Sequence, residues 1–171
     1  MARALMHRRT VLAGATAAIG GIAGCLGSAE ENEESQDVPP DGIDGGTHRF
    51  YLANLDAERR RVELSVSDTD AERYVIDGTY DVPDERGAEF ARVAKESVEY
   101  EVAVTVANGV SMTKTWAPAP CPTPGGGSRN AVVRIRPSAT ELTYAEDNCD
   151  EITAGTSVPF GSASEFVVDT G

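Results

Sequence analysis

The sequence predicts an all-β fold, a single antiparallel sandwich, on three observations. Apolar Val62, Leu64 and Val66 alternate with Glu63, Ser65 and Ser67, and Tyr100, Val102, Val104 and Val106 alternate with Glu99, Glu101, Ala103 and Thr105. That period of two marks strands with one buried face. Turn-forming groups punctuate the chain at short intervals: Asp77-Gly78, Val82-Pro83-Asp84, Glu85-Arg86-Gly87 and Asn108-Gly109. No long stretch carries a helical period, and residues 47–152 have the length of one sandwich domain.

In chain order, strands are expected over Arg49 to Asn54, the Val62 alternation, Tyr74 to Tyr80, Glu89 to Val93 and the Tyr100 alternation. After the Asn108-Gly109 turn come a returning strand, then Asn130 to Arg136 with Val133 and Ile135 inward, then Glu141 to Tyr144, about eight short strands in all. Asn and Gly both tolerate positive φ and together favour a two-residue type I′ hairpin. That turn would pair Ala107 with Val110, set Val104 against Thr113 and Glu101 against Trp116, and turn Trp116 away from the valine face. If Trp116 instead packs with Val102 and Val104, the loop must hold an extra residue or a bulge.

The segments Phe50-Tyr51-Leu52-Ala53-Asn54, Val62-Glu63-Leu64-Ser65-Val66, Tyr80-Asp81-Val82-Pro83, Tyr100-Glu101-Val102-Ala103-Val104 and Asn108-Gly109 together resemble the immunoglobulin-like, fibronectin-like modules of small lipoproteins of halophilic archaea. The resemblance implies a sandwich in which an extended chain before the first core strand pairs along one sheet. It implies architecture and almost nothing about activity, because this sandwich serves many unrelated roles.

The N-terminus reads as an address. Arg8-Arg9 leads into a small-residue apolar run, Val11 to Ala23, that ends Ile22-Ala23-Gly24-Cys25. A cationic start and a short apolar stretch have the shape of a signal peptide, and the run falls short of the about 20 residues that a membrane-spanning helix wants. The arginine pair points to twin-arginine export. This segment resembles the twin-arginine lipoprotein signals of halophilic archaea, which implies cleavage of residues 1–24 and a lipid joined to Cys25. Residues 25–46 then form a lipidated, acidic, disordered linker, rich in Glu, Asp, Ser, Pro and Gly with no apolar period. Residues 153–171, poor in charge, are expected to be a flexible tail, with a strand near Glu165 to Val168 as an alternative.

Of 28 acidic and 15 basic residues, the signal removes three arginines and no acids, so the chain from Cys25 carries 28 acids against 12 bases. Such a surface suits concentrated salt, where like charges are screened. It argues against nucleic-acid binding, which needs a basic stripe, and against direct attraction to an anionic membrane. The lipid on Cys25 would provide the membrane contact. Cys121 and Cys149 are then an even pair in an oxidising compartment, and a disulfide between them is expected; a metal-thiolate site would need two further Cys or His ligands. Since no Trp lies between them as in antibody domains, the bridge would be a late loop-to-strand clasp.

Catalytic chemistry finds little footing. His48 is the sole histidine after cleavage, which excludes a cupredoxin-like copper site and leaves Ser or Cys nucleophiles without a recognisable base. Gly125-Gly126-Gly127 lacks the lysine of a phosphate loop and follows the Pro-rich stretch 118–124. Asp68-x-Asp70 and Asp147-x-x-Asp150-Glu151 lack EF-hand spacing and read as solvated acidic loops. No catalytic residue, cofactor or metal site is therefore assigned. The expected function is that of a noncatalytic, lipid-anchored module on the outer face of the cell membrane, binding an unknown envelope protein or polymer. The alternative is an accessory substrate-binding lipoprotein of a transport system, or a secreted hydrolase.

Overall fold

A computed structural model describes residues 42–122, 129–146 and 157–168. They form nine strands: β1 (His48–Asn54), β2 (Arg60–Asp68), β3 (Arg73–Val82), β4 (Gly87–Ala94), β5 (Tyr100–Val106), β6 (Ser111–Trp116), β7 (Ala131–Ile135), β8 (Leu142–Glu146) and β9 (Phe160–Ser162). Sheet A runs β8-β7-β1-β4-β9 and sheet B runs β3-β2-β5-β6. The two pack face to face as an all-β sandwich. Pairing is mostly antiparallel, but β1 with β7 and β4 with β9 are parallel.

Strands β1 and β4 lie side by side in one sheet, and β3-β2-β5-β6 form the other. A tyrosine ties the corner before β5: Tyr100 opens that strand, and its hydroxyl accepts the Lys95 backbone N–H at 2.9 Å. The flank of β1 is filled by β7, which arrives from late in the chain, instead of by an extended segment preceding the first core strand.

Between the sheets the inward half of each alternation meets: Phe50 and Leu52 from β1, Val62, Leu64 and Val66 from β2, Phe90 from β4, Val102, Val104 and Val106 from β5. Aromatic rings cross this core from one sheet to the other. Tyr80 stands edge-on to Phe90 at 5.0 Å, Phe90 to Phe50 at 5.9 Å, and Trp116 tilts against both Phe50 and Tyr100 at 5.9 and 5.7 Å. Each such pair adds about 0.5–1.5 kcal/mol beyond the area it buries. Burial, reinforced by the Asp77 charge, pushes the Tyr80 hydroxyl up to about 12.

Trp116 is fully buried, so the two-residue hairpin expectation is corrected. Val104 pairs with Met112, Glu101 with Thr115 and Tyr100 with Trp116. Ala107, Asn108 and Gly109 form a three-residue loop in which Val106 N–H donates to the Val110 carbonyl at 2.8 Å and Gly109 takes φ +91°. The extra loop residue brings Trp116 to the core face of β6, and the Asn108 side chain adds a tertiary contact. Its amide donates to the Ala139 carbonyl at 2.8 Å, fastening the hairpin tip to the short 3-10 turn Pro137–Ala139. Asp77-Gly78, read as a turn signal, instead lies within β3.

Both domain boundaries also move. Gly42 to Gly46, placed in the linker, dock with Thr47 on a bulge of β4. Ile43 N–H donates to the Arg92 carbonyl at 3.0 Å and Thr47 N–H to the Ala94 carbonyl at 3.0 Å. Glycine is required at position 46, where a Cβ would overlap the Arg92 carbonyl. At the other end, residues 157–168 of the expected flexible tail are a strap. Strand β9 adds in parallel to β4, Phe166 and Ala163 enter the core, and Val167 bridges to Tyr80 with Asp81 N–H donating to the Phe166 carbonyl at 2.8 Å. The strap thus joins the edge of sheet A to the edge of sheet B. On the other edge of sheet B, exposed Lys114 occupies an inward register position on β6, opposite Val102, a charge that discourages a further strand.

Candidate functional site

Of the residues singled out from the sequence, only some fall among the described residues. Arg8, Arg9, Ile22, Ala23, Gly24, Cys25 and Cys149 lie outside the described residues, as do Asp147, Asp150 and Glu151. Cys121 lies half-buried in the loop after β6. That loop returns beside the start of β7, where Arg129 N–H donates to the Ala119 carbonyl at 3.4 Å. His48 is fully buried, its Nδ1–H donating to the Arg129 carbonyl at 2.9 Å, while Arg49 N–H donates to the Asn130 side-chain oxygen at 2.8 Å. These bonds fasten β1 to the entry of β7 and give His48 a structural role. Asp68 is likewise occupied: one carboxylate oxygen accepts the N–H groups of Asp70 and Ala71 at 3.0 Å each, closing the turn before β3. Among the described residues no group of three His, Cys, Asp or Glu side chains is placed to hold a metal ion, and no helix is long and apolar enough to cross a membrane.

The loops at the end of β1 form a tightly bonded pole. Asn54, fully buried, donates its amide to the carbonyls of Glu58, Val82 and Pro83 at 2.8, 3.2 and 2.9 Å, and its oxygen accepts the Asp56 N–H at 3.1 Å. Arg60 holds the buried Asp56 carboxylate through Nε at 2.9 Å and Nη2 at 2.6 Å. Burial opposes ionisation of Asp56, but the Arg60 hydrogen bonds and charge, with backbone donors at Ser138 and Ala57, hold its carboxyl below the usual carboxylate range. All these polar groups are spent on each other, so the pole is scaffold.

The outer face of sheet B is different in kind. Three rows of neighbouring residues cross the strands: Thr79, Glu63, Thr105 and Ser111; then Asp77, Ser65, Ala103 and Thr113; then Tyr74, Ser67, Glu101 and Thr115. Two shallow depressions open on this face. One, of about 310 Å3, lies over Glu63, Ser65, Asp77, Ala103 and Thr105; the other, of about 300 Å3, lies over Ser67, Asp68, Glu72, Tyr74 and Glu101. The floor is small because Ser65, Ser67 and Ala103 hold its centre, and hydroxyls and carboxylates form the walls. Tyr74 stands at one end, 49 % exposed, among the few large apolar side chains left in solvent. At the other end Arg61 grips Asp81 in a two-pronged pair at 3.0 and 3.2 Å, which keeps the Asp81 carboxyl below its ordinary value.

The polar half of the β2 and β5 alternations already contained Glu63, Ser65, Glu101 and Ala103. The contribution of β3, with Tyr74 and Asp77 in register beside them, required the pairing, including the extra residue that β3 carries at Val75. Comparison of the chain with protein-family models, with curated proteins and with solved structures finds no match.

Proposed function

We propose that the chain is a noncatalytic, lipid-anchored binding module on the outer face of the cell membrane, presenting its sandwich to an envelope protein or polymer. The observation that supports this reading is the bare outer face of sheet B, a polar, concave surface with small residues at its floor and an exposed tyrosine at its end. Attachment follows from the address in the sequence: residues 1–24 are removed after twin-arginine export, and Cys25 carries the lipid. Tethering replaces surface affinity for the membrane, consistent with the excess of acids.

A bridge between Cys121 and Cys149 belongs to the same reading. Ala131 of β7 pairs with Glu146 of β8, and the Cys121 loop lies against Arg129 just before β7. Cys149 follows Glu146 by three residues, a span of about 10 Å of extended chain. The bridge would close a loop contributing about 3–4 kcal/mol.

Two measurements test the proposal. Mass spectrometry of the membrane-extracted protein is expected to find a chain that begins at a lipid-modified Cys25 with Cys121 and Cys149 oxidised; an intact Met1 with an unmodified Cys25 overturns the anchor. Photo-cross-linking from the sheet B face in intact cells is expected to yield a discrete partner, and its failure from every position on that face overturns the binding role.

A further inference from the structure

We propose that Asn108 is a site of spontaneous intramolecular deamidation, and that the fold sets its rate by fastening the hairpin tip to the Pro137–Ala139 turn. Asparagine followed by glycine carries both reacting groups in one dipeptide. The deprotonated Gly109 nitrogen attacks the Asn108 Cγ; a C–N bond forms, the bond to Nδ2 breaks, and that nitrogen leaves as ammonia with the proton that Gly109 gave up. Water then opens the five-membered imide at either carbonyl, which yields aspartate or, where the chain is rerouted through the side chain, isoaspartate. Glycine matters because a Cβ on the attacking residue would crowd the ring closure. Asn54 and Asn130, the other described asparagines, precede Leu55 and Ala131 and are buried. Asn108 and Gly109 are exposed, and open space surrounds Gly109 where a Cβ would stand.

Three hydrogen bonds stand across this reaction. The Gly109 N–H donates to the Val106 carbonyl at 2.8 Å, the Asn108 side-chain oxygen accepts the Val110 N–H at 3.2 Å, and the Asn108 amide donates to the Ala139 carbonyl at 2.8 Å. Nucleophile and leaving group are thus both engaged, and the ring closes only in conformations that release them. Because each bond contributes modestly to stability, that release is a local opening of the tip and not global unfolding. The chemical change is one-way. A carboxylate at position 108 has no N–H for Ala139 and sets two acceptors against each other, so the hairpin loses its fastening to the turn. Isoaspartate also adds a backbone carbon to the loop whose length brings Trp116 to the core face.

Peptide mapping by mass spectrometry of the full chain in detergent, incubated in alkaline buffer with and without unfolding urea, tests this at Asn108. In urea the site is expected to convert to aspartate and isoaspartate, and Gly109→Ala is expected to lose most of that conversion. Without urea, conversion is expected to be about tenfold slower or more, and Pro137→Gly, which loosens the turn that holds the tip, is expected to recover part of the difference. Asn108→Asp, which carries the product side chain, is expected to speed hydrogen exchange at Gly109 and Val110 while β2 stays protected. Absence of conversion in urea overturns the site. Equal rates with and without urea, or an unchanged native rate in Pro137→Gly, overturn the control by the turn. Exchange in Asn108→Asp equal to that of the parent overturns the release of the tip.

Discussion

The two sheets treat their outer faces in opposite ways. In sheet A, β1 and β7 are buried on both sides: Tyr51, Ala53 and Val132 point away from the sandwich core, yet have no exposed surface, and Leu55, Ala145, Val158 and Phe160 pack against them. Phe160, brought in by the strap, meets the Tyr51 ring edge-on at 5.1 Å. In sheet B the outward residues of β2 and β5 are polar, small and in contact with water. The strands that carry these faces differ in sequence as they do in burial. Phe50-Tyr51-Leu52-Ala53 and Ala131-Val132-Val133 are unbroken apolar runs, whereas β2 and β5 alternate. An unbroken run encodes a strand covered twice; an alternating one encodes a strand covered once. Among the described residues, sheet A is thus covered on both faces and sheet B on one.

Placing one charge on each face gives the largest expected contrast. Val132→Asp would bury a carboxylate in the apolar cluster with Tyr51 and Ala53 and is expected to lower unfolding free energy by more than about 3 kcal/mol. Ser65→Asp on the open face is expected to stay within about 0.5 kcal/mol. Urea denaturation of both variants measures the difference, and equal losses would show that the outer face of sheet A is not covered as described. Next in size is the strap itself. Phe160→Ala removes the ring against Tyr51 and is expected to cost about 2 kcal/mol, less than for a fully buried aromatic because Phe160 is only half-buried. Gly87→Ala provides a second reading of the same contact, since a Cβ there would strike the Phe160 ring. If the strap holds sheet A closed, both variants should also raise hydrogen exchange at β9 while leaving β2 and β5 protected.

A smaller effect sharpens the comparison at the corner that enters sheet B. Tyr100→Phe removes the acceptor of the Lys95 N–H and is expected to cost about 1 kcal/mol, read as a lowered melting temperature with the β5–β6 register unchanged. The smallest effect is acid sensitivity at the bonded pole. Asp56 and Asp81 both have folded pKa values below their unfolded ones. Their contribution is therefore complete above about pH 4, the ordinary carboxylate value, and is lost as pH falls through the lowered values. Arg60→Ala is expected to move the midpoint of acid unfolding to higher pH. An unchanged midpoint would show that the Arg60–Asp56 pair is not what holds that carboxyl ionised.

Much of this division was legible in the residues. The alternation of β2 and β5 identified their inward faces. The apolar runs of β1 and β7 carried the signal of double burial, but a run of that length is equally compatible with one buried face and a loose neighbour until the covering segment is known. Trp116 illustrates the same limit at the scale of one turn. Asn108-Gly109 is compatible with a two- or a three-residue loop, and the three-residue loop is the one that lets Trp116 pack against Phe50 and Tyr100 in the core. Residues 157–168 are poor in charge and sparse in apolar side chains, so nothing local distinguishes a strap from a fraying end. Phe160 and Phe166 acquire their roles only where β4, Tyr51 and Tyr80 are already assembled.

By itself, then, the sequence determined the class of fold, most of the strands and which side of β2 and β5 faces the core, because side-chain alternation is a local property with a fixed period of two. Tertiary structure alone decided the register at Trp116, the docking of Gly42 to Thr47 on β4, the strap across both sheet edges, and the meeting of Tyr74, Asp77, Glu63 and Glu101 on one face. Each of these depends on contacts between segments far apart in the chain, whose free energy exists only once the sheets have paired and cannot be read from either segment alone.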